Sequence, residues 1–326
     1  MVRLLSGWKA AVLLSLHSGA IAAPAAAGDN AVVSDPPATG PAPLPASESV
    51  PKFDPSKIAQ GTAIDSDPAK LVSSPIINET SDFVPASIPV EQPAAGSQKR
   101  GYIFGGYDDR HLWTETSFPS SAMGRLLIQT SSFSGVCSAG LVGPRHLVTA
   151  RHCIKDGASY RFQPAYDNGS ERLGYSYATN WFYRGFGESG NCGLAADFAV
   201  FILGDRLGDR LGYLGVRVTD PWEVNVNKFW NYGYPADRGG YNRPYRQGSI
   251  TIASHGQCWP AGPNFSNADV DLGQSGGPMW SLDDDGTRRI HSVLGGVYQA
   301  GSTSQTYGAG GQEMVNMVNW LRGDFP

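Results

Sequence analysis

A series of short apolar runs fills residues 101–326 and constrains the fold more than any other feature of the sequence. Gly, Pro, Asp or Asn residues separate one run from the next, which is the pattern of short strands joined by turns. Such a series is typical of antiparallel β structure in a barrel or a sandwich. We therefore predict an all-β fold, with strands at 125–130, 141–142, 147–149, 159–163, 198–203, 228–232, 247–253, 278–281 and 290–299.

One helix is predicted, close to the C-terminus. Met314, Met317, Val318 and Leu321 follow the i, i+3, i+4, i+7 spacing that places side chains on one helix face. We expect this face to pack on the β structure.

The first 22 residues have the pattern of a signal peptide. Arg3 and Lys9 supply positive charge, and the apolar run that follows ends in the small-x-small sequence Ala-Ile-Ala at 20–22. The run is shorter than the ~20 residues that a membrane-spanning helix needs. We therefore predict a secreted, extracellular protein.

Residues 23–100 are predicted to be a Pro-rich, disordered propeptide. The first 100 residues hold 13 of the 23 prolines and none of the four cysteines, and segments such as 36–45 have little apolar surface to bury. One or two extended pieces are expected, among 76–77, 83–84 and 88–90. The segment ends in Lys99-Arg100, a dibasic pair that predicts proteolytic cleavage after Arg100. A flexible tail that is never removed is the alternative.

Charge and cysteine spacing limit the partners. The net charge of −4 gives no reason to expect a nucleic acid or an anionic membrane as a partner. Neither a C-x₂-C nor an H-x₃-H spacing occurs, so no metal is predicted. We expect a monomer that needs no cofactor.

A Gly-rich stretch around Ser275 predicts acyl-transfer chemistry. A serine hydroxyl is a weak nucleophile unless a base removes its proton and another group stabilises the oxyanion that follows. Glycine lets backbone N–H groups approach a substrate closely, and we expect the N–H groups of Gly273 and Ser275 to form an oxyanion hole. A Gly-rich turn that happens to contain a serine is the alternative.

A histidine and an aspartate each adjoin an apolar run. His152 follows the run 147–149, and the pKa of histidine suits a general base. Asp197 begins the run 198–203, where a carboxylate is costly to bury unless it is paired, and a histidine N–H is a suitable partner. The three residues His152, Asp197 and Ser275 predict a catalytic triad.

Three segments resemble the signatures of chymotrypsin-like (trypsin-like) serine proteases. They are Thr-Ala-Arg-His-Cys at 149–153, Asp-Phe-Ala-Val at 197–200 and Gly-Gln-Ser-Gly-Gly-Pro at 273–278, in the chain order of the double-barrel enzymes. The resemblance covers residues 101–326 and implies two six-stranded antiparallel β-barrels, a cleft between them and a C-terminal helix. It implies a serine endopeptidase that acts on polypeptides. It also implies a Cys137–Cys153 disulfide, which leaves Cys192 and Cys258 as the second pair.

The chain also departs from the trypsin pattern. Gln274 stands where trypsins have an aspartate that pairs with the new N-terminal amine. The glutamyl-endopeptidase (V8-like) branch has an amide there, and Gly-Tyr-Pro at 233–235 resembles that branch. The branch places a histidine in its acidic-residue pocket, whereas this chain has Val297 or Tyr298 at the matching position.

The trypsin pattern also suggests a specificity residue. Asp269 lies six residues before Ser275, at the position that forms the base of the specificity pocket in trypsins, and Val297 would form part of the wall. A carboxylate there would favour Arg or Lys in the substrate. The alternative is that Asp269 is a solvated loop residue.

Two other functions and one modification remain open at this point. A catalytically inactive binding module could share the same fold. A secreted esterase would match Gly-x-Ser-x-Gly at 273–277, although the predicted base and acid precede the serine. N-glycosylation sequons occur at Asn168 and Asn264 in the predicted mature region.

Overall fold

A computed structural model describes residues 79–89, 103–184, 189–258, 261–300 and 302–326. It also describes the backbone of two short strands, β1 (Ala42–Pro43) and β2 (Ala63–Asp65). The predicted signal peptide, the cleavage site at Arg100 and most of the predicted propeptide lie outside these residues. No helix within the described parts of the chain is both long enough and apolar enough to cross a membrane.

The first barrel is a closed sheet of six antiparallel strands. The chain reaches it through β3 (His111–Leu112), and the barrel strands are β4 (Met123–Gln129), β5 (Ser134–Leu141), β6 (His146–Ala150), β7 (Ser159–Pro164), β8 (Ser176–Tyr183) and β9 (Phe198–Leu203). Their order in the sheet is β5-β4-β7-β8-β9-β6, and β6 pairs again with β5 to close it. The additional strands β1 and β2 pair with β5 and β8.

The second barrel follows after a short strand, β10 (Gly215–Val216), which lies outside the closed sheet. The barrel strands are β11 (Asn227–Gly233), β12 (Tyr245–Cys258), β13 (Gly262–Ser266), β14 (Pro278–Leu282), β15 (Arg288–Ala300) and β16 (Thr303–Gly310). Their order is β15-β14-β11-β12-β13-β16, and β16 pairs with β15 to close the sheet. Two closed six-stranded antiparallel barrels confirm the predicted fold class.

The described residues also form helices. Three are short: α1 (Gly190–Ala195), α2 (Leu207–Leu211) and α3 (Ala236–Gly239). The C-terminal helix α4 (Gln312–Asp324) confirms the helix predicted from the periodic apolar residues. Its Met314, Met317, Val318 and Leu321 side chains are fully buried in the main core cluster, which continues into the first barrel.

Two disulfides fix the segments that lead to the predicted site. Cys137 on β5 bonds to Cys153 just after β6, and Cys192 on α1 bonds to Cys258 at the end of β12. The second bond links the connection between β8 and β9 of the first barrel, which leads to Asp197, to the second barrel. Both pairs are those that follow from the family resemblance.

Residues 79–89 lie within the segment predicted to be disordered, in which extended pieces are expected at 83–84 and 88–90. They run along β10, and the backbones of Phe83 and Tyr213 exchange two hydrogen bonds of 2.9 Å. The physical reason is that Val84 and Ile88 supply enough apolar surface to pack against the core cluster.

Candidate active site

His152 is held by the end of the first-barrel strand β6. The strand passes into a short 3₁₀ turn, Arg151–Cys153, and the disulfide of Cys153 ties that turn to β5. The His152 side chain remains partly exposed, with 27% of its surface accessible. A base that has to reach a substrate needs this combination of a fixed backbone and an open ring.

Asp197 lies under the His152 ring. Its Oδ1 accepts a hydrogen bond from the His152 backbone N–H (3.0 Å), and its Oδ2 lies 2.7 Å from His152 Nδ1. Since an ionised carboxylate only accepts hydrogen bonds, Nδ1 carries the proton and Nε2 keeps its lone pair. Tyr307 on β16 donates a further hydrogen bond to Oδ2 (3.1 Å). The carboxylate is thus buried and paired on both oxygens, as a carboxylate of low exposure must be.

The pKa of His152 reflects opposing effects. Burial lowers it, but the charge of Asp197 and the hydrogen bond to that carboxylate raise it more, while the Arg151 charge lowers it slightly. The net result is a pKa above the ordinary value for histidine. The neutral ring, which alone can accept a proton, therefore predominates only on the alkaline side of that raised pKa.

The loop that carries Ser275 is anchored to the first barrel. Ser138 on β5 donates its backbone N–H to Ser275 O (2.7 Å) and its Oγ to Gly273 O (2.8 Å). Gly276 has a φ of +79°, which favours glycine, and a Cβ there would lie 2.1 Å from Thr149 Oγ1 and 2.7 Å from Ala150 N. The serine loop therefore touches the strand end that carries His152.

A triad also needs contact between the predicted nucleophile, Ser275, and the predicted base, His152. Within the described residues, Ser275 Oγ and His152 Nε2 form no hydrogen bond with each other. Catalytic hydrogen bonds are often long without substrate and shorten when it binds.

Two backbone N–H groups on this loop are candidates for binding an oxyanion. Within the described part of the chain, neither the Gly273 nor the Ser275 N–H finds a hydrogen-bond acceptor. Gly273 has a φ of +89°, and a Cβ at this position would lie 2.3 Å from Tyr234 O. Only glycine therefore fits this turn without strain, and the turn leaves both donors available.

A buried cation supports the residue before Ser275. The Arg110 guanidinium, fully buried, donates to Gln274 Oε1 (2.6 Å), to Asp108 and to Asp237. Gln274 Oε1 also accepts the Asp271 N–H (2.9 Å). Burial lowers the pKa of Arg110, but its hydrogen bonds to the two carboxylates raise that pKa by more. The guanidinium therefore stays charged.

Known proteins match this chain in sequence. The family model described as Trypsin matches residues 114–321, well over half of the chain. The chain belongs to the trypsin family of serine endopeptidases. The glutamyl endopeptidase of Bacillus licheniformis is 24% identical over 257 residues, which cover 75% of each chain.

Two solved structures align with most of the described chain. A Glu endopeptidase in complex with MPD aligns with a TM-score of 0.53 and 19% identity, over 68% of this chain and 99% of that one. The protease Anisep from Arthrobacter nicotinovorans has a TM-score of 0.49 and 21% identity, over 64% of this chain and 98% of the other. The first of these confirms the double-barrel fold.

Asp269 has contacts in the protease that differ from those of a pocket residue. The side chain is buried, with 1% exposure, and its two oxygens accept the N–H groups of Phe104 (2.8 Å) and Asp109 (3.3 Å). Burial raises the pKa of Asp269 to about 7, so the carboxyl is only partly ionised at neutral pH. It therefore holds the segment before β3 and is a weak partner for a substrate cation.

Val297 and Tyr298, the other predicted substrate-binding residues, lie on β15. Val297 is buried in an apolar cluster of the second barrel together with Phe229 and Leu294. The Tyr298 ring packs on Phe265 with 5.0 Å between ring centroids. Both positions carry uncharged side chains, so neither supplies a cation for an acidic substrate residue.

The two predicted glycosylation sites differ in accessibility. Asn168 is exposed in a turn. Asn264 lies on β13 with 3% exposure, and its Nδ2 donates to Thr219 Oγ1 (2.9 Å) and Ser292 Oγ (3.3 Å). A glycan must be attached to that nitrogen, so the structure argues against Asn264, because the sequon faces the barrel interior.

One buried cluster has the residue types of a metal site. Possible ligand atoms of Glu223, Asp283 and His291 lie within 4.8 Å of one another. Their charges are already matched, since Arg217 contacts both carboxylates, Lys228 contacts Glu223 (2.7 Å) and Arg289 contacts Asp283 (2.7 Å). We therefore assign the cluster a structural role.

Sequence reasoning missed the two residues that support the predicted triad from outside the motifs. Tyr307 is 110 positions from Asp197, and Arg110 is 164 positions from Gln274. No local pattern links residues so far apart.

Proposed function

We propose that the protein is a secreted endopeptidase in which His152, Asp197 and Ser275 form the catalytic triad. The Ser275 hydroxyl attacks the carbonyl carbon of the scissile bond, and His152 Nε2 takes its proton. The same nitrogen then gives this proton to the leaving amine, and an acyl-enzyme forms. Water, activated by His152, hydrolyses the ester and restores the serine.

The other groups have separate tasks in this proposal. Asp197 fixes the His152 tautomer and stabilises the imidazolium. The N–H groups of Gly273 and Ser275 bind the oxyanion, an interaction that typically contributes about 2.7–4 kcal/mol per donor to the transition state. No cofactor takes part in any step.

The observation that carries the proposal is the two-point contact between His152 and Asp197. The backbone and the ring of His152 both bind the same carboxylate, at 3.0 and 2.7 Å. A solvated surface histidine would have no reason to be held twice. The packing of Gly276 against Thr149 and Ala150 supports the nearness of Ser275 to this pair.

The substrates are polypeptides, and the residue preference is a separate question. The Asp269 carboxylate is buried and accepts the Phe104 and Asp109 N–H groups, which argues against a strong Arg or Lys preference. Val297 and Tyr298 are uncharged and give no basis for a Glu preference. Cleavage-site mapping on a mixed peptide pool, with the purified protein, gives the preference directly.

Replacement of the nucleophile tests the triad. Ser275→Ala should lower peptidase turnover by several orders of magnitude and abolish labelling by an active-site phosphonate, because triad members act as a unit. Ser281→Ala is a matched control, since buried Ser281 also contacts a histidine, with Oγ 2.8 Å from His291 Nε2.

The control should keep turnover and labelling at Ser275. If Ser275→Ala retains activity within tenfold of the parent, Ser275 is not the nucleophile. If the unmodified protein hydrolyses short esters but no peptide, the endopeptidase proposal fails in favour of an esterase.

A further inference from the structure

Residues 79–89, called the anchoring segment below, occupy a strand-binding surface on the protease domain. Thr80 N–H donates to Val216 O (2.8 Å), and Val216 N–H donates back to Thr80 Oγ1 (3.0 Å). Three residues further along, Phe83 and Tyr213 exchange their two backbone hydrogen bonds. The segment thus adds an antiparallel edge to β10, whose other edge pairs with β15.

Two glycines on the protease domain let the backbone of the anchoring segment approach closely. A Cβ on Gly215 would lie 2.1 Å from Thr80 O, and one on Gly212 would lie 2.7 Å from Phe83 O. Gly215 has no positive φ that would require glycine, so the missing side chain there makes room for the segment. The site therefore excludes any larger residue as long as the segment is bound.

The segment joins the two barrels. Toward the second barrel, Asp82 Oδ2 accepts the Arg288 N–H (2.9 Å) and Thr80 O accepts Arg289 Nε (3.3 Å), both on β15. Toward the first barrel, Pro89 O accepts the Phe118 N–H (2.6 Å), just ahead of β4. Val84 and Ile88 pack against the main core cluster.

We propose that the anchoring segment is a permanent structural part of the protease and stays bound after the chain is cut between residues 90 and 101. Cleavage after Arg100 would then give a two-chain protein and not a released propeptide. The bonds that hold the segment all lie between residues 79 and 89 and the protease domain, so none depends on the continuity of the chain at Arg100. Loss of the segment would expose the β10 edge and the apolar surface under Val84 and Ile88, which is costly.

An engineered cut tests this without reliance on natural processing. Residues 92–98 of the full chain are replaced by a recognition sequence for a site-specific protease, and the folded protein is cut to completion. We expect both fragments to elute together in native gel filtration and to separate only under denaturing conditions. Separation of the N-terminal fragment in native buffer would overturn the proposal.

Variants locate the contact. Gly215→Ala places a methyl group against Thr80 O and should speed dissociation of the cut fragment at least tenfold. Gly323→Ala is the matched control, because a Cβ there meets no atom within 4 Å. It should retain the fragment as the parent does.

A second variant covers the case in which Gly215→Ala does not fold. Thr80→Val keeps the shape of the side chain and removes the acceptor for the Val216 N–H, so it should also speed dissociation. If folded Gly215→Ala and Thr80→Val both hold the fragment as tightly as the parent, the segment is not bound at β10. Peptidase turnover, measured in parallel, reports on the triad independently of fragment retention.

Discussion

Tyr307 provides the sharpest test of how the predicted base is tuned. Its hydroxyl donates to Asp197 Oδ2, the oxygen that also faces His152 Nδ1. Burial raises the pKa of Tyr307 well above its ordinary value, and the charge of Asp197 raises it further, so the hydroxyl stays protonated and acts only as donor. Tyr307→Phe removes that donor and leaves the ring.

The size of the effect follows from the strength of the lost bond. A hydrogen bond to a charged group contributes about 1.5–3 kcal/mol. Without that hydrogen bond, the negative charge on Asp197 is less neutralised and attracts the His152 imidazolium more strongly. If about half of that energy, ~1 kcal/mol, goes into the attraction between imidazolium and carboxylate, the pKa of His152 rises by about 0.7 unit. Less secure orientation of Asp197 should also lower kcat about fivefold.

The assay is the pH profile of kcat/KM on a peptide substrate. Since only the neutral ring accepts the serine proton, a higher pKa moves the acidic limb of the profile to higher pH. Tyr160→Phe is the control, because the hydroxyl of buried Tyr160 bonds to the Lys155 backbone and, within the described residues, forms no hydrogen bond with Asp197 or His152. It should lose stability without moving the limb. An unmoved limb in Tyr307→Phe, or a limb displaced to lower pH, would refute the reasoning.

Two further predictions concern the loop before the nucleophile. Gln274→Leu removes the acceptor shared by Arg110 and the Asp271 N–H, so the oxyanion donors should lose their orientation. We expect kcat to fall about tenfold to a hundredfold, with a smaller change in KM. An equal change in both constants would contradict this. Asp269 has a pKa raised by burial from 3.8 to about 7, so the folded state binds its proton more tightly and stability falls as pH rises through that range. Asp269→Asn removes this titration, and its free energy of unfolding relative to the parent should increase by about 1–3 kcal/mol between pH 5 and pH 8; chemical denaturation at both pH values checks it, and a difference that shrinks with pH would be the contrary result. The ratio of cleavage after Arg to cleavage after Glu should not change.

The sequence predicted the parts of this molecule that have local patterns. Strands rich in branched or aromatic residues, such as β9, and the periodic helix α4 are readable because burial of one face imposes a period on the residue types. The strand β8 was missed although it is rich in aromatic residues, and β5 was predicted only at its end. The strands β13 and β16 were missed because Gly-Pro-Asn-Phe-Ser and Thr-Ser-Gln-Thr-Tyr-Gly-Ala-Gly lack apolar alternation. Closure of the second barrel, and not local propensity, makes them strands.

In the candidate site, too, the sequence singled out residues in local motifs, but it did not reveal the contacts of a residue held by distant segments. Each of His152, Asp197 and Ser275 lies in a short motif, and the structure places the first two in contact and the third on a loop that touches the same strand end. Asp269 was assigned by counting along the chain, which ignores the path of the backbone. The Phe104–Asp109 segment that binds its carboxylate lies more than 150 positions away, and nothing near Asp269 reveals it.

The internal salt bridge of Arg110 bears on the timing of activity. The cation that supports Gln274 is a side chain at position 110, downstream of the predicted processing site, so it is present in the precursor and in the processed protein alike. We therefore expect this loop to be ordered before the predicted cleavage as well as after it. In that case, substrate access to the cleft, and not assembly of the serine loop, would decide when the protease acts.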